Sequence, residues 1–246
     1  MTATISTIPP ARTFLGDNFE LTNVESVKPF YENLVERPID TLEEFKKFLK
    51  DRSELESYLS ENFAWRYIKM TCDTTDKEVK AHFDQFVSEI QPELASYDDT
   101  LNKKTLESPF LDILTTEGEA AEAFYITFRG IKKATEIFRT ENINLFTEVQ
   151  NLSSEYQGTV GVMTVEIDGQ TKTLQQAGVF LENADRAIRE MAYRKIQERR
   201  IQDRDKLDEV FNKLKTVRHQ IALNAGFENF RDYSFASLKR FDYSPK

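Results

Sequence analysis

The sequence predicts a mainly α fold: a multi-helix lobe with long antiparallel helices and one small β-hairpin near residues 162–173. Three observations carry this. Apolar residues recur at steps of three or four along most of the chain, the spacing of an amphipathic helix. Only 8 Gly and 7 Pro punctuate 246 residues, too few for a long irregular or multi-stranded architecture. Apolar–polar alternation is confined to Met163–Ile167, just before Asp168-Gly169, which can supply the positive backbone angles of a tight hairpin turn.

The first helix is expected to open on a capping box of Thr22 and Glu25, run through Phe30 and Leu34, and end near Arg37-Pro38. Thr41 and Glu44 repeat the signal. Leu42, Phe45, Leu49, Leu55, Tyr58, Leu59 and Phe63 then keep one face, so this helix can continue past Trp65 towards Cys72, with Asp51 as a place where it could break. Thr75 and Glu78 form a third box. The stripe Val79, Phe83, Phe86, Val87 and Ile90 leads up to Pro92, beyond which helix is expected to resume to Glu107, with Ser108-Pro109 as a boundary.

From Glu117 the pattern returns through Phe124, Phe128, Ile131 and Phe138, and a further helix from Asn144 reaches Tyr156. The return strand of the hairpin, Gln170–Thr173, is polar on both faces and reads as an exposed edge. Thr173 with Gln176 caps a short helix, and Asn183 is expected to cap the next, along which Ile188, Met191, Ala192 and Ile196 line up. Leu207, Val210, Phe211, Leu214, Val217, Ile221 and Ala225 give the strongest periodic run, closed by Gly226. A last helix spans Phe230 to Leu238, and the residues after it carry no cap or polar tail of their own.

Lys and Arg total 33 against 42 Asp and Glu, and the net charge of −9 opposes attraction to nucleic acid or an anionic membrane surface. No stretch approaches the roughly 18 apolar residues of a membrane span. Cys72 is the single cysteine, so an intrachain disulfide is excluded; it reads as a small buried hydrophobe in a reducing compartment. Residues 1–18 read as a flexible N-terminal segment and 19–246 as the helical lobe.

A catalytic zinc commonly takes three protein ligands, often from a helix bearing HExxH. The histidines are His82 and His219, neither in that setting. His219 lies near a helix C-terminus, where a cation is favoured without any catalytic role. GxSxG, GxGxxG and GxxxxGK[ST] are all absent. The basic stretch Arg194–Lys206 interleaves Glu198, Asp203 and Asp205 and reads as salt-linked pairs on a solvated helix rather than a phosphate-binding surface. No catalytic, cofactor-binding or metal-ligating residue is assigned.

Several strings occur in shared order: Glu36-Arg37-Pro38-Ile39-Asp40, Asp51-Arg52-Ser53-Glu54-Leu55, Ala64-Trp65-Arg66-Tyr67-Ile68 with Met70-Thr71-Cys72-Asp73-Thr74, Thr164-Val165-Glu166-Ile167-Asp168-Gly169, Leu174-Gln175-Gln176, Tyr193-Arg194-Lys195, and Asn224-Ala225-Gly226-Phe227-Glu228-Asn229-Phe230-Arg231-Asp232-Tyr233. Together they resemble the N-terminal region of the oligoendopeptidase F group, relatives of thimet oligopeptidase, from about Phe19 onward. The resemblance implies a cytoplasmic zinc metallopeptidase in which helical lobes flank a channel admitting short peptides. It places the HExxH helix and a glutamate ligand C-terminal of the matched region, so it carries no metal ligand or catalytic base onto any position here.

The expectation is therefore a non-catalytic lobe forming part of the substrate channel wall, with zinc held by a separate C-terminal catalytic domain. Its partners would be that domain and, once joined to it, short peptides; nucleic acid and membrane are not expected. If it exposes apolar surface alone, it is open to homodimerisation. The alternative is a stand-alone helical interaction or scaffold module.

Overall fold

Asn23, not Thr22, opens the first helix. In the computed structural model, which describes residues 11–245, the Asn23 side chain accepts from the Ser26 N–H and the Ser26 hydroxyl accepts in return from the Asn23 N–H. This box, in place of Thr22 with Glu25, begins α1 (Val24–Glu36). The stronger cap of two adjacent candidates prevails.

Thr41 and Glu44 cap α2 (Leu42–Cys72) as the sequence predicts. The helix does not break at Asp51, whose buried carboxylate is held by Arg37 and Lys47 at 2.7 Å each. Asp76 rather than Thr75 caps α3 (Lys77–Gln85), accepting from Glu78 and Val79 N–H. α3 then passes through a π-helical turn, Phe86–Ile90, into α4 (Gln91–Leu106). Pro92 therefore does not interrupt the helix: it lies in the first turn of α4, and the widened turn before it accommodates a residue with no N–H and a bulky ring.

Three helices follow: α5 (Leu111–Thr116), α6 (Ala121–Ile137) and α7 (Asn142–Gly161). The hairpin is β1 (Thr164–Ile167) with β2 (Gln170–Thr173), antiparallel, Thr164 opposite Thr173 and Ile167 opposite Gln170. Its turn residues Asp168 and Gly169 have φ of 54° and 72°, as a two-residue hairpin loop requires. Val165 and Ile167 face inward, whereas β2 is mostly exposed. Thr173 and Gln176 cap α8 (Leu174–Gly178) as expected, and a 3-10 turn, Val179–Glu182, follows. Asp185, not Asn183, caps α9 (Arg186–Gln202); Asn183 instead accepts from the Asp185 N–H and orients that cap. α10 (Arg204–Asn224) ends at Gly226, φ 85°, and Asn229 caps α11 (Phe230–Ser237).

The largest core joins Val27, Tyr31 and Leu34 of α1 to Phe45, Phe48 and Leu55 of α2, Ile90 and Leu101 of the long helical run, and Phe128 of α6. A second packs Leu152 of α7 on Val210, Leu214, Val217 and Ile221 of α10. Buried Asn142 ties those two helices, donating to the Ile221 carbonyl at 3.1 Å and accepting from Asn224 at 2.7 Å. A third core seats the hairpin on α8 and α9 through Met163, Ile167, Leu174, Ala192 and Ile196.

Of the segment expected to be flexible, residues 1–10 lie outside the described residues. Residues 13–15 are held on α2: the Glu54 carboxylate accepts from the N–H groups of Thr13, Phe14 and Leu15 at 2.8–2.9 Å. Leu15 is buried, and Phe14 packs edge-on against Phe30. Apolar Phe14 and Leu15 and the Glu54 acceptor outweigh the polar composition that reads as loose.

Candidate functional site

Arg52 is buried near the middle of α2 and spends its donors on four partners. Nη1 reaches the Leu101 carbonyl at 3.1 Å and Thr105 Oγ1 at 2.8 Å, Nη2 reaches Asn102 Oδ1 at 2.6 Å, and Nε pairs with Glu56 Oε1 at 2.7 Å. A buried guanidinium needs this saturation, and it pins α2 to α4. One turn earlier on α4, Asp98 Oδ1 accepts from the Tyr31 hydroxyl at 2.8 Å. Burial pushes the Asp98 carboxyl up to about 6, opposed by the Tyr31 bond and assisted by Glu56. Burial, with Asp98 beside it, drives the Tyr31 hydroxyl pKa far upward, so it stays protonated.

Tyr31, Arg52, Glu56, Asp98 and Asn102 line a cleft of about 720 Å³. Its apolar lining comes from Leu49 and Leu59 of α2 and Phe124, Ile126, Phe128 and Ile131 of α6. Lys239, exposed just past α11, also lines it, and its side chain lies along the buried Gly130 backbone. A β-carbon at Gly130 would come within 3.0 Å of Lys239 Cδ and 3.2 Å of Nζ, so glycine permits the approach. Arg129 fastens the same tail, stacked on Phe241 at 4.1 Å and reaching Tyr125 at 5.7 Å. A second depression of about 610 Å³ lies on α7 and α10, edged by Glu148, Asp205, Asp208 and Glu209, the last already paired with Lys213.

The histidines do not converge on either depression. His82 is exposed on α3, its carbonyl accepting from Arg66, and His219 is exposed on α10. Among the described residues no three His, Cys, Asp or Glu side chains come together as a metal would require. The residues present do not fit a catalytic zinc. Cys72 is exposed at the end of α2 rather than buried, because the helix presents that position to solvent in its last turn. The basic stretch resolves into local pairs, Arg194 with Glu190, Arg199 with Asp203 and Arg204 with Asp205. No helix among the described residues is long and apolar enough to cross a membrane.

Residues 14–124 match the family model for the peptidase M3 N-terminal domain. The resemblance read from the sequence thus stands over the segment from the Glu54-held strap to the first turn of α6. Among solved structures, the likeness of fold extends across nearly the whole chain. A crystal structure described as an oligoendopeptidase F from Bacillus anthracis str. Ames superposes with a TM-score of 0.84 at 24% identity, covering 95% of this chain and 42% of that one. PZ peptidase A with an inhibitor gives 0.83 at 24% identity over 95% of this chain and 41% of that one. A further oligoendopeptidase F structure gives 0.84 at 23% identity. At these identities the likeness is one of fold, and the chain spans about two-fifths of the length of those proteins. No curated protein matches the chain.

Sequence reasoning assigned none of the cleft residues. Arg52 and Glu56 form a readable pair at helical spacing, but Tyr31 and Asp98 lie far apart in the chain and are joined only by the packing of α1 on α4. A Lys at a left-handed helix terminus carries no sequence signal at all.

Proposed function

We propose that the chain is the non-catalytic N-terminal lobe of a zinc-dependent oligoendopeptidase and forms part of the wall of a channel for short peptides. Zinc and the catalytic base belong, on this reading, to a C-terminal catalytic domain, and the enzyme works in the cytoplasm. One observation carries the reading. The match of residues 14–124 to a peptidase M3 N-terminal domain is embedded in a superposition covering 95% of this chain and 42% of an oligoendopeptidase F chain. Side chains such as Trp65, Tyr193, Ile201 and Phe211 are more than half exposed, which supports a partner surface beyond this chain, the catalytic domain or a second copy.

Cleavage of a quenched fluorescent octapeptide library, with zinc added and bound metal determined, tests the first half of the reading. The chain alone should neither turn over peptide nor retain stoichiometric zinc; chelator-sensitive turnover would overturn the assignment. A chimera tests the second half. With this chain replacing the matching two-fifths of the Bacillus anthracis protein, peptide hydrolysis should survive, whereas a stand-alone scaffold module would leave the chimera inactive.

A further inference from the structure

Asp98 lines the cleft between α2, α4 and α6 without a cationic partner. Among the described residues it belongs to no ion pair, and its hydrogen-bond donor is the Tyr31 hydroxyl, on Oδ1 at 2.8 Å. Arg52 is committed elsewhere, to Glu56, the Leu101 carbonyl, Thr105 and Asn102. Glu56 disfavours the Asp98 anion more than Arg52 favours it, so that pair offers no relief. Lys239, the remaining charged residue on the cleft, is exposed and screened by water.

The same cleft offers apolar surface. Ile126 is half exposed, Phe124 and Ile131 are only partly covered by the core, and Phe124 stacks on Phe128 with ring centres 5.8 Å apart. A carboxylate whose second oxygen has no protein donor, in one cleft with aromatic and aliphatic side chains, is complementary to an apolar body carrying a positive group. An anion would meet Asp98 and Glu56 together, and a neutral ligand would desolvate Asp98 without supplying a counter-charge.

We propose that this cleft binds an amphipathic organic cation, an arylalkyl amine, with its ammonium on the Asp98 carboxylate and its apolar body against Phe124, Ile126 and Ile131. The cleft's volume of about 720 Å³ falls within the roughly 300–1,000 Å³ of small-molecule sites. The ammonium donates to Asp98 while Tyr31 keeps its own bond to Oδ1. The site does not rest on the channel-wall reading, since every group it uses lies within this chain.

Phenethylamine titrated into the chain by calorimetry, beside 2-phenylethanol as its neutral counterpart, tests the proposal. Saturable binding of the amine is expected, with the alcohol weaker by about tenfold or more. Asp98→Asn keeps an acceptor for Tyr31 and should abolish that difference; Ile126→Ser, at a half-exposed position, should weaken amine and alcohol alike. In the wild type, affinity for the amine should rise as pH passes upward through about 6 and the Asp98 carboxyl ionises, and the rise should vanish in Asp98→Asn. The groups facing Asp98 across the cleft are Tyr31 of α1, Arg52 and Glu56 of α2, and Lys239. Glu148→Gln, in the acidic depression on α7 and α10, should leave the affinity unchanged. No saturation by phenethylamine, equal binding of the alcohol, or a loss in Glu148→Gln as large as in Asp98→Asn would overturn the proposal whatever the chimera shows.

Discussion

The Tyr31 hydroxyl donates to Asp98 Oδ1 at 2.8 Å and so ties α1 to α4 through an acid that burial leaves poorly solvated. The pair places a titratable group within the wall of the cleft, and its protonation is linked to folding.

Because burial raises the Asp98 carboxyl to about 6, the folded chain holds that proton more tightly than the unfolded chain does. Linkage then requires stability to fall as pH rises from the unfolded value, about 4, through the folded one. Asparagine keeps an acceptor for Tyr31 and carries no charge. Asp98→Asn should therefore gain roughly 1–3 kcal/mol on the wild type between about pH 4 and about pH 7, measured by urea denaturation at both.

Glu54 behaves in the opposite sense. Burial raises its carboxyl, but the N–H groups of Leu15, Thr13 and Phe14, with the Thr13 hydroxyl, outweigh burial and hold it below the usual carboxylate range. Its contribution is present above the unfolded pKa and is lost as pH falls through the folded one. Glu54→Gln presents an amide NH₂ to backbone donors, should cost about 1–3 kcal/mol, and should expose the Phe14 and Leu15 amides to hydrogen exchange.

Removing Arg52 takes a donor from Thr105 and from Asn102, empties a buried site between α2 and α4, and leaves Glu56 without its partner. Arg52→Ala should cost about 3–5 kcal/mol in urea denaturation. Arg52→Lys should recover only part of that, since a point charge cannot reproduce a fork of donors.

Gly226 ends α10 at φ 85°, with its N–H bonded to the Leu223 carbonyl at 3.0 Å and Phe227 N–H to the Ala222 carbonyl at 2.9 Å. A β-carbon there meets no neighbour, so the effect of Gly226→Ala is purely conformational. It should cost about 1 kcal/mol and lower the melting temperature without changing the cleft.

Features written in a few consecutive residues were legible in the sequence. The Thr41 and Thr173 boxes, the Asp168-Gly169 turn and the Gly226 stop all follow from local chemistry and stand in the structure. Caps slipped by one or two residues where a second good cap lay alongside, Asn23 beside Thr22, Asp76 beside Thr75 and Asp185 beyond Asn183. The cleft was not legible, because its polar residues are assembled from α1, α2, α4 and the residue after α11. Asp98, within Tyr97-Asp98-Asp99, looks like any solvated carboxylate until Tyr31 is folded against it.

The π-helical turn at Phe86–Ile90 has a consequence for how this region tolerates change in length. It amounts to one residue inserted into an α-helical rod, which turns everything after it by about 100°. Phe83 and Val87 can then face Met70, while Ile90, Leu94 and Leu101 of the same rod face α1 and α2. Relatives with a regular helix here should align only with a one-residue gap. Deleting a residue from the turn in this chain would rotate Leu94, Asp98 and Leu101 off the core together, a lesion no single substitution among them could reproduce.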